Sequence, residues 1–141
     1  MAFNFPQPML HSSDYDFSFS GLKTAVLYAV QDIGEINSQT QADIAASFQH
    51  AATEVLIKKI TKALENTGRE SIVLAGGVAA NKVLRNKISL LKSKLNVAVL
   101  YPPLAHCTDN AAMIAYLGSM KVNEATFSLA SHAKPRWPLG S

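Results

Sequence analysis

Two short apolar runs, Ile72-Val73-Leu74-Ala75 and Val97-Ala98-Val99-Leu100, flank a segment whose apolar residues recur at helical spacing. Near-continuous apolar runs are what strands covered on both faces require, and strand–helix–strand in that order reads as a parallel, right-handed βαβ unit. The pattern predicts strands over 71–75 and 97–101 and a helix from about Ala79 to Ser93. The first strand runs into Ala75-Gly76-Gly77-Val78-Ala79-Ala80-Asn81, and the second exits toward His106-Cys107-Thr108-Asp109-Asn110. In a parallel pair both exits leave the same edge of the sheet, where open α/β folds bind ligands. The expected fold class is α/β and helix-rich.

The remaining chain supplies helices. Residues 1–18 contain Pro6, Pro8 and the polar cluster Ser12-Ser13-Asp14, and read as an irregular lead-in. A helix is expected from Ser20, with its hydroxyl as cap, to Ile33, where Gly34 stops it. The longest helix runs from about Gln39 to Glu65, opened by Asn37-Ser38 and closed at Gly68. Ile44, Phe48, Ala52, Leu56, Ile60 and Ala63 form its apolar stripe, opposite a solvated face carrying Glu54, Lys58 and Lys62. A last helix is expected from Asp109 to Met120, followed by an irregular tail over Ala133–Pro138. Two strands fall short of the about four to six of an ordinary sheet. Either weak strands lie within 1–18, or the chain is a segment whose sheet is completed elsewhere; we favour the second.

Composition narrows the class further. A hydrophobic fraction of 48% with 16% charged residues excludes a disordered chain. The net charge of +3 permits nucleic-acid contact without requiring it. A single cysteine excludes a disulfide framework and fits a reducing cytoplasm. No apolar run approaches the about 20 residues of a membrane helix, and the N-terminus lacks signal-peptide features. A soluble cytoplasmic protein is expected, with no membrane partner.

Each motif has two readings. Gly76 and Gly77, ahead of a helix start, offer backbone amides to a phosphate, or simply allow a tight turn. Asn81 presents an amide to a ribose or base, or caps the helix. Asp109 is a helix cap, or a carboxylate ligand for a cation, with His106 three residues away. No His-x-x-x-His pair occurs among His11, His50, His106 and His132, so a complete metal site is not encoded. Cys107, near Asp109, has its thiolate disfavoured and reads as a small buried side chain. Phe17 and Phe19 read as core residues beside a helix start, with Lys23 and the neighbouring hydroxyls as alternative ligand or RNA contacts. Lys82, Arg85, Lys87, Lys92 and Lys94 form a basic segment, read as a solvated face ahead of tRNA contact. No Ser-His-Asp or Cys-His context supports a hydrolase.

Three ordered motifs carry a family resemblance: Asp16-Phe17-Ser18-Phe19-Ser20-Gly21-Leu22-Lys23-Thr24-Ala25, Ala75-Gly76-Gly77-Val78-Ala79-Ala80-Asn81, and Cys107-Thr108-Asp109-Asn110-Ala111-Ala112-Met113-Ile114-Ala115. Together with the tail Pro135-Arg136-Trp137, they resemble the TsaD family. These are the tRNA N6-adenosine threonylcarbamoyltransferases, formerly labelled O-sialoglycoprotein endopeptidases or glycoproteases. The resemblance implies an actin-like, Hsp70-like ATPase (ASKHA) fold of two lobes, with residues 1–141 as its C-terminal segment and the N-terminal metal-histidine lobe absent. It implies transfer of a threonylcarbamoyl group from threonylcarbamoyl-AMP to N6 of adenosine beside the anticodon of tRNA. Asn81 would contact the nucleotide, Gly76 and Gly77 would give backbone donors, and Asp109 would be a metal ligand. The metal implied is iron, with zinc or magnesium as alternatives. Partners implied are tRNA, a paralogous subunit and a small ATPase of the bacterial complex. The histidine pair and the Ser-Gly-Gly-His loop of the family have no counterpart here, so the chain alone is expected to be inactive. It is also expected to expose apolar surface and self-associate. The alternative is a non-catalytic module that binds a nucleotide or partner; the peptidase label comes third.

Overall fold

The longest element is fixed at both ends by its caps. Asn37 Oδ1 accepts the Thr40 N–H at 2.8 Å, starting α2 (Ser38–Thr67). Gly68 ends it with φ 62°, a left-handed conformation natural to glycine, and donates to the Leu64 carbonyl at 2.9 Å. The computed structural model describes residues 1–124. Within them α1 (Ser20–Ile33) precedes α2, then come β1 (Ser71–Val73), α3 (Lys82–Leu95), β2 (Ala98–Leu100) and α4 (Ala111–Met120). Short 3-10 turns lie at Gly77–Ala80, Leu104–His106 and Val122–Glu124. The expected tail over Ala133–Pro138 falls outside the described residues.

Ser20 does not cap α1. It already sits inside the first turn, its carbonyl accepting from Thr24 Oγ1 at 3.2 Å, and Phe19 occupies the cap position without a side-chain bond. Gly34 stops α1 as expected, at φ 72°.

β1 and β2 pair in parallel with Ser71 opposite Ala98, Ile72 opposite Val99 and Val73 opposite Leu100. The strands are shorter than the apolar runs, although Leu74 N–H still donates to Leu100 O at 2.9 Å. Only one face is covered. Ile72 and Val99 turn toward α3 and α2, whereas Val73 and Leu100 are 70% and 59% exposed. The expectation of a sheet covered on both faces is therefore corrected: residues 1–108 cover one face, and Val73 and Leu100 on the other stay exposed. No strand occurs in residues 1–18.

α2 supports two cores. Its C-terminal half contributes Leu56, Ile57 and Ile60 to a cluster built on Leu74, Ala79, Leu84, Ile88 and Cys107. Its N-terminal half joins Ile44 and Ala51 to Phe5 and Leu22. The buried row therefore passes through Ala51 and Val55 rather than through Phe48, which is 40% exposed. The face expected to be solvated is partly spent on the lead-in. Lys59 is buried and donates to Ser12 Oγ at 2.6 Å, Asp14 O at 2.9 Å and Asp14 Oδ1 at 3.1 Å. Lys62 donates to Ser12 O at 2.7 Å. The Ser12 hydroxyl, and then Lys59, hold the Asp14 carboxyl below its ordinary range. Lys59 and Lys62 thus bind residues 12–14 onto α2, since burying an ammonium requires such partners.

The chain divides into two compact units, the second beginning at Asp109. There Asn110, not Asp109, caps α4: its Oδ1 accepts the Met113 N–H at 3.1 Å. The helix accordingly starts two residues after its expected position. Among the described residues no helix is long and apolar enough to cross a membrane.

Candidate functional site

The turn after β1 needs glycine at its first position. Gly76 has φ 79° and ψ 176°, a region L-residues rarely enter, while a side chain there would meet open space. Backbone conformation, not crowding, thus sets the requirement. From Gly76 the chain winds through one 3-10 turn, with Ala79 N–H to Gly76 O and Asn81 N–H to Val78 O, each 3.0 Å. This turn delays the helix expected at Ala79, and α3 starts at Lys82.

Asn81 is the cap of α3, its Oδ1 accepting the Leu84 N–H at 3.0 Å. That bond fixes the amide, because a backbone N–H can only donate. Its Nδ2 therefore faces α2 and donates to Gln49 Oε1 at 3.0 Å. A second polar rung lies about one turn further along α2 and nearly two turns into α3. Lys87 Nζ donates to Thr53 Oγ1 at 2.7 Å and to Glu54 Oε1 at 2.8 Å. The Lys87 bond holds the Glu54 carboxyl below its ordinary value of 4.5.

Between α2 and the glycine turn lies a cavity of about 980 Å³. Phe19, Phe48, Ala52 and Leu56 make its apolar walls, Gly77 and Val78 bring backbone to its edge, and Gln49, Thr53 and Asn81 supply polar groups. Phe17 and Phe19 are not core residues: they are 51% and 36% exposed, ring to ring at 5.6 Å, and Phe19 borders the cavity.

Arg85 ties together the exits of the two strands. Its Nε donates to Ala79 O, its Nη2 to Pro102 O at 3.0 Å and to Cys107 Sγ at 3.1 Å, and its guanidinium lies 4.4 Å from the Tyr101 ring centroid. Such a planar fork can reach several acceptors at once and stack on an aromatic face. Arg85 and Lys87 therefore correct the expectation of a uniformly solvated basic face; Lys82, Lys92 and Lys94 do stand exposed. Cys107 is buried, as expected, at 2% exposure.

Gly76, Gly77 and Asn81 are thus brought together in the first unit, where Gly77 and Asn81 line the cavity. Asp109 belongs to the second unit, where it borders a cavity of about 340 Å³ with Asn110, Ala111, Met113 and Ile114. Among the described residues no three His, Cys, Asp or Glu side chains come together as a metal-binding group. One carboxylate does not fit a tightly held divalent ion, which needs several ligands in fixed geometry. Gln49 and Arg85 went unrecognised as site residues. Gln49 follows Phe48 on the apolar stripe, and Arg85 lies within the basic segment, so neither carried a signal of its own.

A family model described as "TsaD: tRNA N6-adenosine threonylcarbamoyltransferase" matches residues 1–116. A Thermosipho africanus protein named tRNA N6-adenosine threonylcarbamoyltransferase is 59% identical over 116 residues, covering 82% of this chain and 35% of that protein. Chromobacterium violaceum and Variovorax paradoxus proteins of the same name are each 48% identical over 99% of this chain, which covers 42% and 41% of their lengths. The chain thus spans well under half the length of these relatives.

Proposed function

Since the chain belongs to the tRNA N6-adenosine threonylcarbamoyltransferase family, we propose that it forms the nucleotide-binding part of such a transferase. It is the C-terminal segment of a two-lobed, actin-like protein and is inactive without the complementary portion. The cavity beside the glycine turn receives the nucleoside part of threonylcarbamoyl-AMP. Asn81, held by its cap bond and by Gln49, keeps one Nδ2 proton for the ligand, and Gly77 presents backbone to the phosphate side. The observation that carries this reading is the fixed Asn81 amide at the edge of that cavity. The exposed Val73–Leu100 face is where the rest of the sheet, or a second copy of the chain, packs.

In the reaction, N6 of the tRNA adenosine attacks the threonylcarbamoyl carbonyl carbon, the mixed anhydride to phosphate breaks, AMP departs carrying the bond's electrons, and N6 releases one proton to solvent. No nucleophile of this chain takes part. Its residues bind and orient, which can lower a barrier by several kcal/mol when reacting atoms are held close. Asp109 would contribute one carboxylate to a divalent ion, iron in our reading, whose other ligands would come from outside this chain. Mixing the chain with the complementary portion of a relative, tRNA and threonylcarbamoyl-AMP tests the proposal. Mass spectrometry of digested tRNA should show threonylcarbamoyladenosine only when both parts are present. Stable association of the parts without any modified nucleoside would favour the non-catalytic module instead.

A further inference from the structure

Gln49 lies on the α2 wall, across the cavity from the glycine turn, and accepts from Asn81 Nδ2. That bond determines more than Asn81. The Leu84 N–H fixes Asn81 Oδ1, Asn81 must then donate with Nδ2, and Gln49 must accept with Oε1. The chain of constraints leaves the Gln49 NH2 directed away from Asn81. Gln49 borders the cavity, is only partly buried, and its Nε2 has no partner among the described residues. An amide NH2 at an apolar wall calls for an acceptor, since leaving it unmatched in a ligand-filled site is costly.

From this geometry we infer that Gln49 is a second ligand-binding residue, donating through Nε2 to an acceptor atom of the nucleoside beside the Asn81 Nδ2 donor. The two amides meet across the cavity, joined by their mutual bond and each with an N–H left to donate, and Phe48 and Phe19 line the same cavity. They select a planar ligand with hydrogen-bond acceptors on the facing edge, as purine ring nitrogens provide. The inference rests on the nucleotide-site reading above and adds a residue to it.

Calorimetric titration of AMP and of adenosine into the wild-type chain, Gln49→Glu and Gln49→Met tests it, with melting temperatures alongside. Gln49→Glu keeps an acceptor for Asn81 and removes the donor; Gln49→Met removes both. Both variants should bind AMP and adenosine about five- to tenfold more weakly, one hydrogen bond's effect. Gln49→Glu should melt with the wild type. Wild-type affinity in both variants would overturn the role of Gln49 while leaving the nucleotide site intact. A loss with AMP but not adenosine in Gln49→Glu would mark charge repulsion and overturn it equally. Absence of binding to the wild type would remove the nucleotide-site reading and this inference together.

Discussion

Asn81 performs two tasks that substitution can separate. As the α3 cap it accepts from Leu84 N–H, and as a donor it reaches Gln49. Asn81→Ala removes both. Losing a cap costs about 1 kcal/mol and losing a part-buried amide bond about another, so the variant should be destabilised by about 2 kcal/mol. For a unit of this size that lowers the melting temperature by roughly 8–15 °C. Asn81→Asp keeps the capping oxygen and places a negative charge where the helix dipole favours it. Gln49 can rotate its amide to donate to the new carboxylate, so stability should stay within about 0.5 kcal/mol of wild type. The polarity of the site is nevertheless reversed: the Asn81 donor is gone and the Gln49 NH2 is turned inward. AMP affinity should then fall at least tenfold in a well-folded protein. Thermal unfolding by circular dichroism and AMP titration by calorimetry read the two effects. Equal destabilisation of both variants, or undiminished AMP affinity in Asn81→Asp, would refute the reasoning.

Arg85→Lys retains the charge but cannot span Ala79 O, Pro102 O and the Tyr101 ring together; we expect about 2 kcal/mol of destabilisation and faster hydrogen exchange over residues 76–80 and 102–107. Unchanged exchange in both segments would contradict its bridging role. The depressed Glu54 carboxyl gives stability that is complete above its unfolded value of 4.5 and is lost as pH falls through the folded value. The melting-temperature difference between wild type and Glu54→Gln should therefore be constant near neutrality and shrink below pH 4.5, whereas a gap that widens in acid would refute the pairing. Purified chain should carry far less than one equivalent of iron or zinc by elemental analysis; a tightly bound stoichiometric metal would show that a ligand set exists beyond Asp109.

The strand–helix–strand order and the parallel pairing were legible because short continuous apolar runs and helical periodicity leave distinct patterns. Caps at Asn37 and Gly68 were legible too, since side-chain acceptors and left-handed glycines act locally. Long-range polar bonds were not. Lys62 looks solvated until the lead-in folds across α2, and Phe17 and Phe19 look like core residues until their surroundings leave them open. The open sheet face was hidden for a related reason: Val73 and Leu100 carry the composition of covered strands, though no described element covers them. Within the candidate site, the glycines and Asn81 stood out as a motif. Gln49 and Arg85 acquired meaning only once helix caps and strand exits fixed what they could reach.

The most direct test is a titration of AMP into isotope-labelled chain, followed by amide resonances. Saturable shifts should concentrate at the backbone of residues 76–81 and at the side-chain amides of Gln49 and Asn81, with the far ends of α1 and α3 unmoved. Shifts confined to other surfaces, or no saturable shift at all, would contradict a nucleotide cavity between α2 and the glycine turn.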